Sequence, residues 1–151
     1  TGTDKELIVI CGNNTTLYEK LKREYAADKD MVHILMHTDR IADYMKACDV
    51  VLSKPGGLSS TEAAVSGTAL LHITPIPGCE TLNMKFFGER GMAVPVETID
   101  ARLGKICDKM LKEERYRRMA DRQKQYSNPH SAADICDFAQ KYANFAKNIS
   151  I

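Results

Sequence analysis

At 151 residues, 44% of them apolar, the chain has the size of one ordinary domain and enough hydrophobic material for one sizeable core. Its 21 Lys and Arg against 20 Asp and Glu leave a formal charge of +1, which excludes a protein that coats nucleic acid and an acidic solvating tail. No apolar run approaches the roughly 18–20 residues that span a bilayer, and Thr1 to Asp4 lack the basic and apolar regions of a signal peptide, so a soluble intracellular chain is expected. Cys11, Cys48, Cys79, Cys107 and Cys136 form an odd, scattered set without a CxxC pair, which predicts reduced thiols, no disulfide and no zinc site. The first residue is Thr and an apolar segment follows almost at once, so the chain reads as a piece of something longer.

Short β-rich runs alternate with longer helical patterns, the signature of an α/β domain with a doubly wound parallel sheet. Leu7 to Cys11 is a continuous apolar run, as in a strand buried on both faces, and Gly12-Asn13-Asn14 ends it. Leu17, Leu21 and Tyr25 recur at helical spacing, and Val32 to Met36 follows as the second strand. Thr38 or Asp39 caps a helix carrying Ile41, Tyr44, Met45 and Cys48. Asp49 to Ser53 is a third strand, stopped by Lys54-Pro55-Gly56-Gly57. Leu58 to Ser66 reads as a helix closed by Gly67, and Ala69 to Thr74 as the fourth strand. After the Pro75-Ile76-Pro77-Gly78 loop come a helix over Glu80 to Arg90, ended by Gly91, and a short strand over Met92 to Val96. From Ile99 onward the strand signal disappears, leaving helices over Ala101 to Leu111, Arg115 to Tyr126 and Ala132 to Ala146. The division expected is a nucleotide-binding part over 1–97 and C-terminal helices over 98–151 packed on it.

Neither GxxxxGK[ST] nor GxGxxG occurs, so any phosphate site must be built another way. A strand over Val50 to Ser53, the Gly56-Gly57 turn and a helix beginning near Ser59 bring backbone N–H groups and a helix dipole to the carboxyl edge of the sheet. Glycines admit close approach, Ser59, Ser60 and Thr61 add hydroxyls, and Glu62 can accept from two ribose hydroxyls. The same residues also suit a tight turn and a capped helix with no ligand, and spacing alone does not separate the two.

The run DVVLSKPGGLSSTEAAVSGTALLHITPIPGCETLN (Asp49 to Asn83) closely resembles the donor-nucleotide domain of glycosyltransferase family 28, above all its diacylglycerol-glycosylating branch. HTDRIADYMKACDV (His37 to Val50) and VICGNNTTLYEKLK (Val9 to Lys22) match the preceding blocks in order, so the resemblance covers roughly residues 6 to 97. It implies the Rossmann-like C-terminal half of a two-domain GT-B enzyme that inverts the anomeric centre of a UDP-sugar without a metal or other cofactor. Carried over, Gly56, Gly57, Leu58, Ser59 and Ser60 would cradle the diphosphate and Glu62 the ribose. His37, Thr38 and Ile41 would meet the uracil, and Cys79, Glu80 and Asn83 the donor sugar.

The acceptor implied is diacylglycerol or a glycolipid, reached at the cytoplasmic membrane face as a peripheral protein, with no nucleic-acid partner. A peptidoglycan-type N-acetylglucosaminyltransferase domain is the alternative within enzymes, and a non-catalytic nucleotide-binding subunit the alternative outside them. Where the lipid-glycosylating branch reads PIPGQE this chain has Cys79, which lacks an amide's paired donor and acceptor. The family also has a strand, a glycine-rich loop and a helix before the block that starts here at Glu6, and an acceptor domain with the catalytic base. No catalytic residue is therefore expected in this chain, which by itself should bind nucleotide weakly and not turn over.

Among the remaining candidates, Lys54 reads as a solvated turn residue, His72 as a satisfied core histidine, and Cys11 and Cys48 as small buried hydrophobes. His33 and His37 lie outside helical metal-ligand geometry. Residues 105–124 hold eight basic side chains against four acidic, which reads as a solvated helix face. Ile135, Cys136, Ala139, Tyr142, Ala143 and Ala146 form an apolar stripe on the last helix.

Overall fold

A computed structural model describes residues 5–96 and 98–149, with the side chains of Glu113 and of 144–149 outside the description. The chain divides into two compact units, Thr1–Ile41 and Ala42–Ile151. In the first, β1 (Leu7–Ile10) and β2 (Val32–Leu35) pair in parallel, Leu7 opposite Val32 through Ile10 opposite Leu35. Parallel strands need a crossover, and α1 (Thr15–Glu24) supplies it. Gly12, at φ 59°, makes the exit turn in a conformation that favours glycine, and the Asn14 side chain caps α1 by accepting from the Leu17 N–H at 3.0 Å. A single turn of tighter helix, Ala26–Asp28, leads into β2.

The expectation that the first strand is buried on both faces is corrected: Leu7 is 48% exposed, the rest of β1 is half-buried, and Ile34 is the buried residue of β2. The apolar run reflects β propensity here more than enclosure, since among the described residues of this unit one long helix, α1, accompanies the two strands. Cys11 and Cys48 are likewise half-buried rather than enclosed. Burial and the neighbouring Asp49 carboxylate both push the Cys48 thiol up.

In the second unit α2 (Ile41–Ala47), which begins at the last residue of the first, leads to a parallel sheet of order β3-β4-β5. The strands are β3 (Val50–Ser53), β4 (Ala69–Ile73) and β5 (Val94–Val96), with Ser53 in register with His72 and Ile73 with Val96. The central strand is the core, its Ala69, Leu70, Leu71 and His72 all buried. The crossovers are α3 (Gly57–Ser66) and α4 (Cys79–Glu89). Small residues on the inner face of α3, Ser60, Ala63 and Ala64, are all buried and let the helix settle close to the sheet. Gly67 ends α3 at φ 72°, its N–H directed at the Ala63 and Ala64 carbonyls.

Two of the C-terminal helices pack on this unit. From α5 (Leu103–Met110) comes buried Met110, and from α6 (Glu113–Tyr126) come buried Met119 and Gln123. Tyr116 donates to the Gly67 carbonyl at 3.1 Å. Gln123 donates through one amide nitrogen to the Thr68 carbonyl at 3.0 Å and the Met92 carbonyl at 2.9 Å, joining the entrances of β4 and β5. The helix α7 (Ser131–Ile149) is exposed over 131–143; the rings of Phe138 and of Tyr142, which is on the apolar stripe, lie with centroids 4.4 Å apart and planes tilted by 40°, while the side chain of Ala146 lies outside the described residues. Replacing Gln123 by Ala should cost about 2–3 kcal/mol, because two buried carbonyls lose one shared donor. Urea denaturation checks this; an unchanged midpoint would show that water reaches both carbonyls.

Candidate functional site

In a parallel α/β sheet the carboxyl ends of the strands and the helix starts that follow them share one edge, and ligands collect there. In the second unit that edge holds the exits of β3 and β4. Beyond Ser53, the Gly56 N–H donates to the Lys54 carbonyl at 2.8 Å, a tight turn centred on Pro55, which is buried and supplies the needed φ. Gly56 is then the N-cap of α3, at φ −69° and ψ 146°, and no side chain caps the helix.

The helix therefore starts two residues earlier than Ser59. The first N–H bonded to it is that of Ser60, to the Gly56 carbonyl at 3.1 Å. By helix geometry the N–H groups of Gly57, Leu58 and Ser59 have no carbonyl one turn back, and they point outward from the positive end of the dipole. Neither Gly56 nor Gly57 has positive φ, and a Cβ at either would meet nothing within 4 Å. Neither backbone conformation nor internal packing requires glycine at these positions. What the missing side chains leave is open space in front of unsatisfied donors, the arrangement that accepts an anion. Leu58, 81% exposed, stands at the same opening.

The second wall comes from the exit of β4. Thr74, at φ 34°, turns the chain out of the strand, and Gly78, at φ 110°, turns it into α4. The Glu80 carboxylate accepts from the Ile76 N–H at 2.6 Å and braces the Pro75–Gly78 loop from within. Asn83 donates to the Pro55 carbonyl at 2.9 Å and latches the start of α4 to the turn before α3. The structure thus brings Gly56, Gly57, Leu58 and Ser59 beside the segment of Glu80 and Asn83, with Cys79 exposed at the first position of α4. Glu62 is exposed about one turn further along α3. His37, Thr38 and Ile41 belong to the first unit, where His37 is exposed, Ile41 half-buried, and the Thr38 hydroxyl accepts from the Arg40 N–H at 3.1 Å.

The reading of the hydroxyls needs correction. Ser60 is fully buried and shares a 2.9 Å hydrogen bond with His72 Nε2, so its hydroxyl serves the core and not the opening. Thr61 donates back to the Gly57 carbonyl at 2.8 Å, the usual helical self-bond. Sequence reasoning missed both the Ser60–His72 pair and the Asn83–Pro55 latch; the one available signal was that Ser60 shares the inner face with Ala63 and Ala64.

His72 lies edge-on to Phe87, with centroids 5.3 Å apart, and its Nδ1 is buried with no hydrogen-bond partner among the described residues. An imidazolium would leave a charged N–H unpaired there, and burial lowers the His72 pKa from 6.5 to about 4. Between those values the unfolded chain holds a proton that the folded chain refuses, so acid favours unfolding. Stability should fall by up to about 3 kcal/mol from pH 7 to pH 4 through this residue alone. Urea midpoints of the parent and of His72→Leu across that range check it: parallel pH profiles would remove His72 as the cause.

Among the described residues no group of three or more His, Cys, Asp or Glu is placed to hold a metal, and no helix is long and apolar enough to cross a membrane.

The processive diacylglycerol beta-glucosyltransferase of Bacillus subtilis is 32% identical over 114 residues, which cover 76% of this chain and 30% of the enzyme. That of Bacillus licheniformis is 30% identical over 119 residues, covering 79% and 31%. The chain spans about a third of the length of these relatives. Among solved structures, HepE of Anabaena in complex with UDP superposes with a TM-score of 0.67 at 14% identity, over 97% of this chain and 42% of that one. MurG of Acinetobacter baumannii superposes with a TM-score of 0.64 at 21% identity, over 93% and 54%. These two likenesses show that the chain has the fold of about half of each of these GT-B glycosyltransferase structures. The model of the glycosyltransferase family 28 C-terminal domain matches residues 1–149, and the chain belongs to that family.

Proposed function

We propose that this chain is the UDP-sugar-binding part of a hexosyltransferase that glycosylates diacylglycerol or a glycolipid with inversion, the whole protein working at the cytoplasmic face of a membrane. The observation that carries the reading is the uncapped start of α3, where N–H donors face a space that Gly56 and Gly57 keep clear. The diphosphate would take the donors of Gly57, Leu58 and Ser59, and Glu62 the ribose hydroxyls. His37, Thr38 and Ile41 would serve the uracil. The sugar would lie toward Cys79, the second carboxylate oxygen of Glu80, and the amide oxygen that Asn83 does not use for Pro55. Fixed donors and a dipole aimed at the diphosphate stabilise the charge that develops on departing UDP, while the catalytic base and the acceptor site belong to the rest of the protein. The Bacillus relatives favour a lipid acceptor.

Calorimetric titration with UDP, UDP-glucose, UDP-galactose, UDP-N-acetylglucosamine and ADP tests the reading. UDP should bind and ADP should not; equal binding of the two would overturn the uracil assignment. Glu62→Ala should weaken UDP by about 1.5–3 kcal/mol, and an unchanged affinity would take Glu62 out of the site. Gly57→Ala separates site from fold. With a helical backbone and nothing near the new methyl group, it should leave thermal stability unchanged or slightly raised, yet weaken UDP about tenfold. Undiminished binding by Gly57→Ala would place the diphosphate elsewhere.

A further inference from the structure

The segment that presents the uncapped donors begins beside the backbone of one buried residue and ends on its side chain. Ser53, where the chain leaves β3, is the register partner of His72 on β4, and Ser60, where α3 completes its first turn, is hydrogen-bonded to His72 at 2.9 Å. Residues 54–59, including all three unsatisfied donors, hang between those two attachments. Further bonds hold this segment: Gly56 N–H to the Lys54 carbonyl, the Ser53 hydroxyl to the same carbonyl, Ser60 N–H and the Thr61 hydroxyl back to the Gly56 and Gly57 carbonyls, and the Asn83 latch from α4. The Ser60 hydroxyl bonds the first turn of α3 directly to the central strand.

Stability does not account for this pair. Ser60 and His72 are both fully buried, the imidazole lies edge-on to Phe87, and His72 Nδ1 goes without a partner among the described residues. Two apolar side chains of matching shape would fill the space at equal or lower free energy. A hydrogen bond adds direction, which packing does not: it fixes the height and rotation of the first turn of α3 against β4, and with them the aim of the N–H groups of Gly57, Leu58 and Ser59.

We propose that Ser60 and His72 are positioning residues for the diphosphate, acting through the backbone donors of the α3 start without touching the ligand; this rests on the UDP-binding reading above. Ser60→Ala and His72→Leu should each lower UDP affinity about 5- to 10-fold, and the double variant should lose no more than either alone, since both remove one bond. Uridine, which lacks phosphate, should keep its affinity within about twofold in all three when titrated by NMR shift changes. That contrast separates aiming of the donors from general loosening. If Ser60→Ala does not fold, His72→Leu carries the same expectation from the strand side. Unchanged UDP affinity in a folded variant, or equal losses for UDP and uridine, would overturn the proposal. A folded parent chain that binds no UDP would instead overturn the reading on which it rests.

Discussion

Parallel pairing of β3 with β4 is the constraint on which the second unit depends. Parallel strands cannot be joined by a tight hairpin, so the chain must leave β3 at its carboxyl end, cross as a helix and return to start β4 beside it. This alone places the positive end of α3 at the sheet edge where β4 also ends. Small residues on the inner face of α3 then bring the helix close to the sheet, and Gly67 at φ 72° releases the chain back toward β4. The place of the uncapped helix start at this sheet edge is a consequence of sheet topology before any side chain is considered.

The near-neutral composition fits a site built this way. On the proposed reading, three backbone donors and a dipole would receive a diphosphate without a cluster of lysines. Precision then depends on what holds the turn. Pro55 limits its backbone, Asn83 grips the Pro55 carbonyl, and the Ser60–His72 bond ties the helix start to the most buried strand. The neighbouring loop is held differently, by the Glu80 carboxylate on the Ile76 N–H and by unusual backbone angles at Thr74 and Gly78.

Polar side chains in the core do structural work at the opposite end of the sheet as well. Gln123 bridges the Thr68 and Met92 carbonyls where β4 and β5 begin, and Tyr116 holds Gly67. The helix α6 thereby replaces backbone partners that the short strands lack at their entrances. By contrast α7 presents Ile135, Phe138 and Tyr142 to solvent, and its periodicity records an apolar stripe without naming what it meets.

Much of this protein is local and was legible in its residues. Gly12, the Pro55–Gly57 turn, Gly67 and Gly91 punctuate the chain where the elements end, because proline and positive-φ glycines act through their own dihedral angles. Periodicity located the seven helices and five strands of the described residues, and the Asp49 to Asn83 block marked the edge where the donors gather. Burial of β1 was misread, since an apolar run is the same whether or not a second layer covers it. Which side chains meet was decided by tertiary structure alone. Ser60 with His72, Asn83 with Pro55 and Gln123 with Thr68 lie 12, 28 and 55 residues apart, and each depends on strand register and on which helix face turns inward. Those choices come from close packing of the whole unit, a long-range property that no window of sequence contains.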